Sequence, residues 1–181
     1  RSALDVLFAR SADGAAPREP DWQKMACALA ATSAFAIITG GPGTGKTTTV
    51  IKLLALLQSM ALAQTARPLR ICLAASTGKA AARLTESIVQ ALGRLDNGAL
   101  PAMAPITING EARTLKQLIP AEAQTLHRLL GSRPDSRHFR HNAQQPLALD
   151  VLVVDEASMV DLEMMAAVLN ALPPHASLVL L

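Results

Sequence analysis

One stretch decides the fold of this sequence: Phe35-Ala-Ile-Ile-Thr-Gly-Gly-Pro-Gly-Thr-Gly-Lys-Thr-Thr-Thr49. Its first four residues are apolar and predict a short buried strand that ends at the glycines. After Lys46 the apolar residues return with helical spacing, at Val50, Ile51, Leu53, Leu54 and Leu57. The stretch therefore predicts a strand, a glycine-rich loop and a helix in direct succession.

The loop carries the phosphate-binding pattern Gly40-x-x-x-x-Gly45-Lys46-Thr47. Glycines let backbone N–H groups approach phosphate oxygens closely, and the N-terminus of the following helix attracts the same anion. Lys46 can reach the β- and γ-phosphates, and the Thr47 hydroxyl can ligate Mg²⁺. We predict a site for ATP and Mg²⁺ formed by Gly41, Pro42, Gly43, Thr44, Gly45, Lys46, Thr47 and Thr48.

A second strong signal is Leu149-Asp-Val-Leu-Val-Val-Asp-Glu156, where an apolar run of four residues, Val151 to Val154, is followed at once by Asp155 and Glu156. The run predicts a strand that is buried on both faces. In a P-loop enzyme the first carboxylate holds the Mg²⁺ coordination sphere and the second polarises the attacking water. We therefore predict Lys46, Asp155 and Glu156 as catalytic residues, with Thr47 and Asp155 at the metal.

A second strand-to-helix junction follows the strand candidate Leu69-Arg-Ile-Cys-Leu-Ala74. It places Ser76, Thr77, Gly78 and Lys79 at the start of a predicted helix. In a parallel α/β sheet such junctions share the carboxyl edge, where ligands bind. Hydroxyls, free N–H groups and a lysine suit a phosphodiester backbone. An ordinary capped helix with a solvated lysine accounts equally well for this pattern.

The segment before the P-loop predicts a helix with Asp21 as its N-cap. Its inward face is expected to carry Trp22, Met25, Ala26 and Leu29. Gln23 lies in the first turn, 17 residues before Gly40. Taken alone, it is expected to be a solvent-facing glutamine.

The remaining segments predict an irregular α/β chain. Residues 1–18 are interpreted as the end of an upstream segment or a linker, and residues 19–181 as one domain. An irregular insertion is predicted at about 94–120, with a short strand at Ile106–Ile108 and a short helix near Leu115. The later elements are a helix ending at Gly131, a surface loop or hairpin at 132–146, a helix at Asp161–Leu172 and a strand at 177–181.

Composition limits the function classes. Half of the 181 residues are apolar, which is enough for one domain with a core. Basic residues outnumber acidic ones between Arg67 and Arg140. Such an excess suits a surface that binds a phosphate-rich partner, although ordinary solvated faces give the same pattern. Cys27 and Cys72 are expected to be small core residues in a reducing compartment. No apolar run has membrane-spanning length, so we predict a cytoplasmic protein without membrane contact.

Four strings are shared with a known family: GGPGTGKTTT at 40–49, ASTGKAAARL at 75–84, TLHRLLG at 125–131 and VVDEASMVD at 153–161. Together they resemble the superfamily 1 DNA helicases and, more narrowly, the exodeoxyribonuclease V alpha subunits of the RecD family. The resemblance covers about residues 19–181. It implies a RecA-like P-loop NTPase domain with a mostly parallel sheet flanked by helices.

The resemblance also implies residue roles. Gln23 matches the glutamine that reads the adenine edge, which replaces the solvent-facing interpretation. Thr77, Gly78 and Lys79 match one DNA-contacting motif, and Thr125 to His127 match another. We therefore expect DNA contacts at Ser76, Thr77, Gly78, Lys79, Thr125 and His127. The implied activity is a 5′ to 3′ motor on single-stranded DNA, with nuclease-helicase and recognition subunits as partners.

The family's next motif and its second motor domain, which carries the arginine finger, are not in this sequence. We therefore expect a piece of a longer protein that has little or no turnover alone. Two other classes compete with a DNA motor. One is a P-loop ATPase that does not act on nucleic acid, against which residues 76–79 argue. The other is a nucleotide-dependent scaffold subunit, which has no use for the carboxylate of Glu156.

Overall fold

A computed structural model describes residues 3–8, 21–41, 43–96, 106–108, 111–133, 136 and 138–181. Helices and strands alternate along most of this chain. The helices are α1 (Ala3–Leu7), α2 (Trp22–Ala31), α3 (Lys46–Thr65), α4 (Gly78–Asp96), α5 (Leu115–Leu118), α6 (Leu126–Leu130) and α7 (Leu162–Ala171). The strands are β1 (Phe35–Ile37), β2 (Ile71–Ala75), β3 (Ile106–Ile108), β4 (Glu111–Arg113), β5 (Ala123–Thr125), β6 (Val151–Asp155) and β7 (Ser177–Leu180).

The main sheet has the strand order β1-β7-β6-β2-β5, and each neighbouring pair is parallel. The predicted α/β class with a mostly parallel sheet is therefore confirmed. The central strand β6 is buried along Val151–Val154, because strands flank it on both sides and helices cover both faces. Strands β3 and β4 form a separate antiparallel pair within the predicted insertion.

Two hydrophobic clusters lie on opposite faces of the sheet. One cluster is formed largely by α3 and α4, and Leu7 and Phe8 at the end of α1 belong to it. The other is built by α6 and α7 against β6 and β7. The division of the chain at residue 18 falls outside the described residues and stays a prediction. In the part that the structure describes, no helix is long and apolar enough to cross a membrane.

Two burial predictions are wrong. Strand β1 is not buried: Phe35 and Ile37 are 53% and 60% exposed, and it is Ile38, just beyond the strand, that is buried. Among the described residues β1 pairs only with β7, so it is an edge strand, and its Phe35/Ile37 face is uncovered. Helix α2 buries Cys27 rather than the predicted apolar stripe.

The exposed stripe on α2 consists of Trp22, Met25 and Leu29, while Ala26 is half-buried. Cys27 packs close to the start of α3, and its thiol donates to the Thr49 carbonyl at 3.2 Å. A small side chain permits this approach, so the narrow face with Cys27 and Ala30 turns inward. Burial raises the pKa of the Cys27 thiol to about 12, as expected for an inert core cysteine.

A buried glutamine joins three elements. The Gln58 side chain is fully buried on α3, and its Nε2 donates to the carbonyls of Leu69 and Leu118 at 2.9 Å each. Its Oε1 accepts from the Leu69 N–H, also at 2.9 Å. The amide therefore satisfies backbone groups before β2 and at the end of α5, and sequence periodicity gave no sign of this role.

The Asp150 carboxylate lies at the amino-terminal edge of the sheet, just before β6, and binds residues from neighbouring segments. Asp150 accepts hydrogen bonds from the Arg70 backbone and guanidinium at 2.8–3.1 Å, and its side chain is only 12% exposed. Arg67 and His175 also lie within 3.5 Å of it. These hydrogen bonds, led by the Arg70 side chain, lower the pKa of Asp150 from 3.8 to about 2.

Replacing Asp150 with Asn should lower the free energy of unfolding by about 1–2 kcal/mol at pH 7, because the ionised form is favoured in the folded state. In the unchanged chain this contribution is present above about pH 4 and is lost as the pH falls toward 2. Urea denaturation between pH 2 and pH 7 measures both effects. Glu86→Gln, on an exposed face of α4, is the matched control. An equally steep loss of stability in acid for Asp150→Asn and the unchanged chain would contradict this role.

Candidate active site

The P-loop has the backbone that its glycines predict. Gly43 and Gly45 have φ values of 76° and 82°, in the left-handed region that glycine adopts readily. Apart from its two chain neighbours, no described residue has a heavy atom within 4 Å of where a Cβ at Gly43 would stand, so this side of the loop is open to a ligand. Helix α3 begins at Lys46, directly after Gly45, and presents its free N–H groups at the loop. Pro42 lies outside the described residues.

Lys46 stands between two cavities. Its Nζ donates to the carbonyls of Gly40 and Gly41. The first cavity, of about 290 Å³, is bounded by the loop residues 43–48 and by α4. The second, of about 530 Å³, is bounded by Lys46, Asp155 and Glu156 and by an apolar wall from the ends of β1 and β7. The structure thus brings the predicted catalytic lysine and both predicted carboxylates to one cavity.

Gln23 lies against the P-loop. Its Nε2 donates to the Thr44 carbonyl at 3.2 Å, and a Cβ at Gly45 would stand 2.8 Å from the same nitrogen. Gly45 therefore needs to lack a side chain both for its positive φ and for this contact. The placement puts an amide beside the nucleotide loop, whereas its role in reading a base stays a prediction.

The acidic pair occupies a strained turn. Asp155 is the last residue of β6, and Glu156 has a φ of 50°, which non-glycine residues rarely adopt. Such a conformation costs on the order of 1–3 kcal/mol and persists only where surrounding contacts hold it. Leu181 supplies two of them: its N–H donates to the Val154 carbonyl at 2.9 Å, and its carbonyl accepts from the Ala157 N–H at 3.0 Å.

Sequence reasoning missed this backbone clamp. Val154 and Ala157 flank the acidic pair, so the end of β7 fixes the direction in which Glu156 leaves the sheet. No residue type marks the clamp, because it consists of main-chain groups from a distant strand. Only the parallel pairing of β6 with β7 brings them together.

The first predicted DNA-contacting junction follows β2. The Thr77 hydroxyl accepts from the Ala80 N–H at 3.2 Å and so caps α4. Thr77, Gly78 and Lys79 are exposed, whereas the Ser76 hydroxyl is buried and has no hydrogen-bond partner within the described chain. Three of the four predicted residues are thus accessible to a ligand, and Ser76 is accessible only if its surroundings shift.

The second predicted DNA-contacting segment lies beside the first. Strands β2 and β5 are parallel neighbours, and Ala75 is opposite Thr125. The Thr125 hydroxyl accepts from the Arg128 N–H at 3.2 Å and caps α6. His127 is exposed and packs edge-on against Phe139, with 6.0 Å between the ring centres. Two segments that are about 50 residues apart in sequence thereby form one surface.

The few oxygen donors that the protein offers fit a Mg²⁺ ion that is held mainly by a bound substrate. The Thr47 hydroxyl and the Asp155 carboxylate are hard oxygen donors; Thr47 lines the first cavity, Asp155 lines the second, and Lys46 lines both. The described residues contain no group of three or more His, Cys, Asp or Glu side chains arranged to hold a metal. Mg²⁺ is typically bound by one or two protein oxygens together with phosphates and water, as this arrangement requires.

Comparison with known proteins agrees with this geometry. The family model described as an AAA domain matches residues 23–181. The chain belongs to the AAA domain family. The match covers the P-loop, the acidic pair and both junctions, and it includes every strand of the parallel sheet.

Proteins with similar sequences include RecD subunits. The chain is 50% identical to the RecBCD enzyme subunit RecD of Haemophilus influenzae, over 89% of this chain and 23% of that protein. It is 48% identical to the RecBCD enzyme subunit RecD of Mycolicibacterium smegmatis, over 87% of this chain and 26% of that protein. The resemblance to RecD is confirmed, and the chain spans about a quarter of the length of these relatives.

More distant similarities complete the comparison. The chain is 35% identical to the ATP-dependent RecD2 DNA helicase of Deinococcus radiodurans, over 80% of this chain and 14% of that protein. The large terminase of bacteriophage HK97 gives a TM-score of 0.47 at 15% identity, over 99% of this chain and 37% of that chain. The second likeness is too weak to bear on function.

Lys46→Ala should remove most nucleotide binding without unfolding the chain, because the half-buried side chain bonds to loop carbonyls and supplies the loop's cation. Equilibrium titration with a fluorescent ATP analogue measures the loss. Lys52→Ala is a matched control on the same helix, since that lysine instead lies over the Phe8 ring, 4.1 Å from its centre. Wild-type nucleotide affinity in Lys46→Ala would show that the loop is not the binding site.

Proposed function

We propose that this chain is the first motor domain of an ATP-dependent DNA helicase. By resemblance, the whole protein moves 5′ to 3′ on single-stranded DNA and works beside nuclease-helicase and recognition subunits. The similarity to proteins named RecBCD enzyme subunit RecD and to an ATP-dependent RecD2 DNA helicase supports this proposal. The cytoplasmic location and the low turnover of this chain alone stay predictions.

One observation carries the proposal: the nucleotide loop and the two predicted DNA junctions lie along the same sheet edge. Their order follows the strand order β1-β7-β6-β2-β5. The P-loop follows β1, the acidic pair follows β6, and the exposed Thr77 and Lys79 follow β2. The pairing of β6 with β2 sets Asp155 directly opposite Ala75, so the acidic pair adjoins the first DNA junction.

The chemistry proposed for the nucleotide end follows from these positions. Backbone N–H groups of the P-loop and Lys46 hold the β- and γ-phosphates, and Gln23 reads the adenine edge. Thr47 and Asp155 would hold Mg²⁺, which when bound neutralises charge on the phosphate oxygens. Glu156, held in its strained conformation, orients and deprotonates the attacking water.

The proposed DNA contacts are mainly to phosphate. The chain has one Trp, three Phe and no Tyr, so stacking of bases on aromatic rings contributes little. Thr77, Gly78 and Lys79 offer a hydroxyl, helix N–H groups and an ammonium group, all of which bind phosphate oxygens. An ATPase that does not act on nucleic acid has no use for this surface. The ATPase rate of the full-length protein with and without single-stranded DNA tests the proposal.

Glu156→Gln should separate nucleotide binding from hydrolysis. The change keeps the shape of the side chain and removes only the carboxylate, so hydrolysis should fall by about 10²–10⁴-fold while nucleotide affinity stays close to wild type. Steady-state ATPase assays and nucleotide titration of the full-length protein give the two quantities. If binding fell as far as in Lys46→Ala, Glu156 would have a structural role.

Lys79→Ala should weaken single-strand binding equally for all sequences, because it removes one phosphate contact. The slope of log affinity against log salt should flatten by roughly 0.7. Nucleotide affinity without DNA should be unchanged. Thr77→Ser, which keeps the capping hydroxyl, is the control. If Lys79→Ala bound DNA normally and retained DNA-stimulated ATPase activity, this junction would be an ordinary capped helix.

A further inference from the structure

The wall of the first cavity opposite the P-loop belongs to α4. Ser87, Gln90 and Arg94 line it, together with Ala91. The three polar residues are spaced at i, i+3 and i+7, which places them on one side of the helix. Sequence motifs assign no role to them, since all three lie beyond the string 75–84.

Arg94 is the charged member of this wall. It is exposed, and the structure records neither a hydrogen bond nor an ion pair between its guanidinium and any described residue. Among the described residues that line the cavity, none carries a carboxylate. The guanidinium therefore adds its donors to a space whose other side already presents Lys46 and the N-terminus of α3.

Such a collection of donors favours an anion. Lys46, the free N–H groups of the loop and Arg94 are all electropositive, so an anion between them is attracted from both walls. Ser87 and Gln90 add a hydroxyl and an amide that can donate to the same ligand. Arginine in addition holds two phosphate oxygens at once, in a geometry that lysine cannot reproduce.

We propose that Arg94 contacts the polyphosphate of the bound nucleotide from α4, on the side of the P-loop away from Glu156. The proposal rests on the proposed nucleotide function and assigns a second phosphate-binding cation to that site. Helix α4 then carries a nucleotide contact near its C-terminus and the predicted DNA junction at its N-terminus. The two are separated by about 24 Å along the helix axis, at 1.5 Å per residue.

The test compares Arg94→Ala and Arg94→Lys with Arg83→Ala in the full-length protein. Arg83 is exposed on the same helix and does not line the cavity. Titration with ATP and with GTP in the absence of DNA measures binding, and thermal melting checks folding. Arg94→Ala should weaken both triphosphates roughly tenfold, Arg94→Lys should recover part of the loss, and Arg83→Ala should match wild type.

Several outcomes would overturn the assignment. Wild-type ATP affinity in Arg94→Ala, alongside lost binding in Lys46→Ala, would reject the Arg94 contact and leave the proposed function intact. A loss confined to ATP would indicate a base contact instead of a phosphate contact. Weaker single-strand binding with unchanged nucleotide affinity would assign Arg94 to DNA. Normal nucleotide binding in Lys46→Ala would reject the nucleotide site itself and the Arg94 contact with it.

Discussion

The parallel pairing of β6 with β2 on one side and with β7 on the other is the constraint on which the site depends. Parallel strands end at the same edge of a sheet, so every loop that follows a strand meets its neighbours there. The P-loop, the acidic pair and the two junctions come from four separate parts of the sequence. Lys46 and Asp155 line the same cavity because their two loops leave the sheet at this shared edge.

Strain at the acidic pair depends on the same pairing. Glu156 keeps a positive φ because Leu181 bonds the backbone on both sides of the turn. The end of β7 is therefore mechanically tied to the carboxylate that we propose as the general base. A small shift of Leu181 would therefore change the direction in which Glu156 leaves the sheet. Helix α4 provides a comparable link, because it begins at the first predicted DNA junction and its later turns line the first cavity beside the P-loop.

Local sequence patterns predicted the elements that carry chemistry. The strand-loop-helix order around Lys46, the capping of α2 by Asp21 and the end of α6 at Gly131 all agree with the structure. Each depends on interactions within a few residues, such as a cap or a positive φ at glycine. The four apolar residues Val151 to Val154 were predicted as a strand buried on both faces, which agrees with β6. Gln23 was placed by its spacing to the loop and by family resemblance.

The sequence by itself therefore determined the P-loop, the acidic pair and the α/β class, because these follow from residue type and short-range geometry. Only the tertiary structure decided which faces are covered. Trp22, Leu29, Phe35 and Ile37 have the apolar pattern of core residues, yet they are exposed because α2 packs through Cys27 and β1 is an edge strand in the described chain. The roles of Gln58, Leu181 and Arg94 also required the fold. They depend on elements that pairing and packing bring together, such as α5 beside Gln58 and β6 beside Leu181, and a local pattern does not contain these contacts.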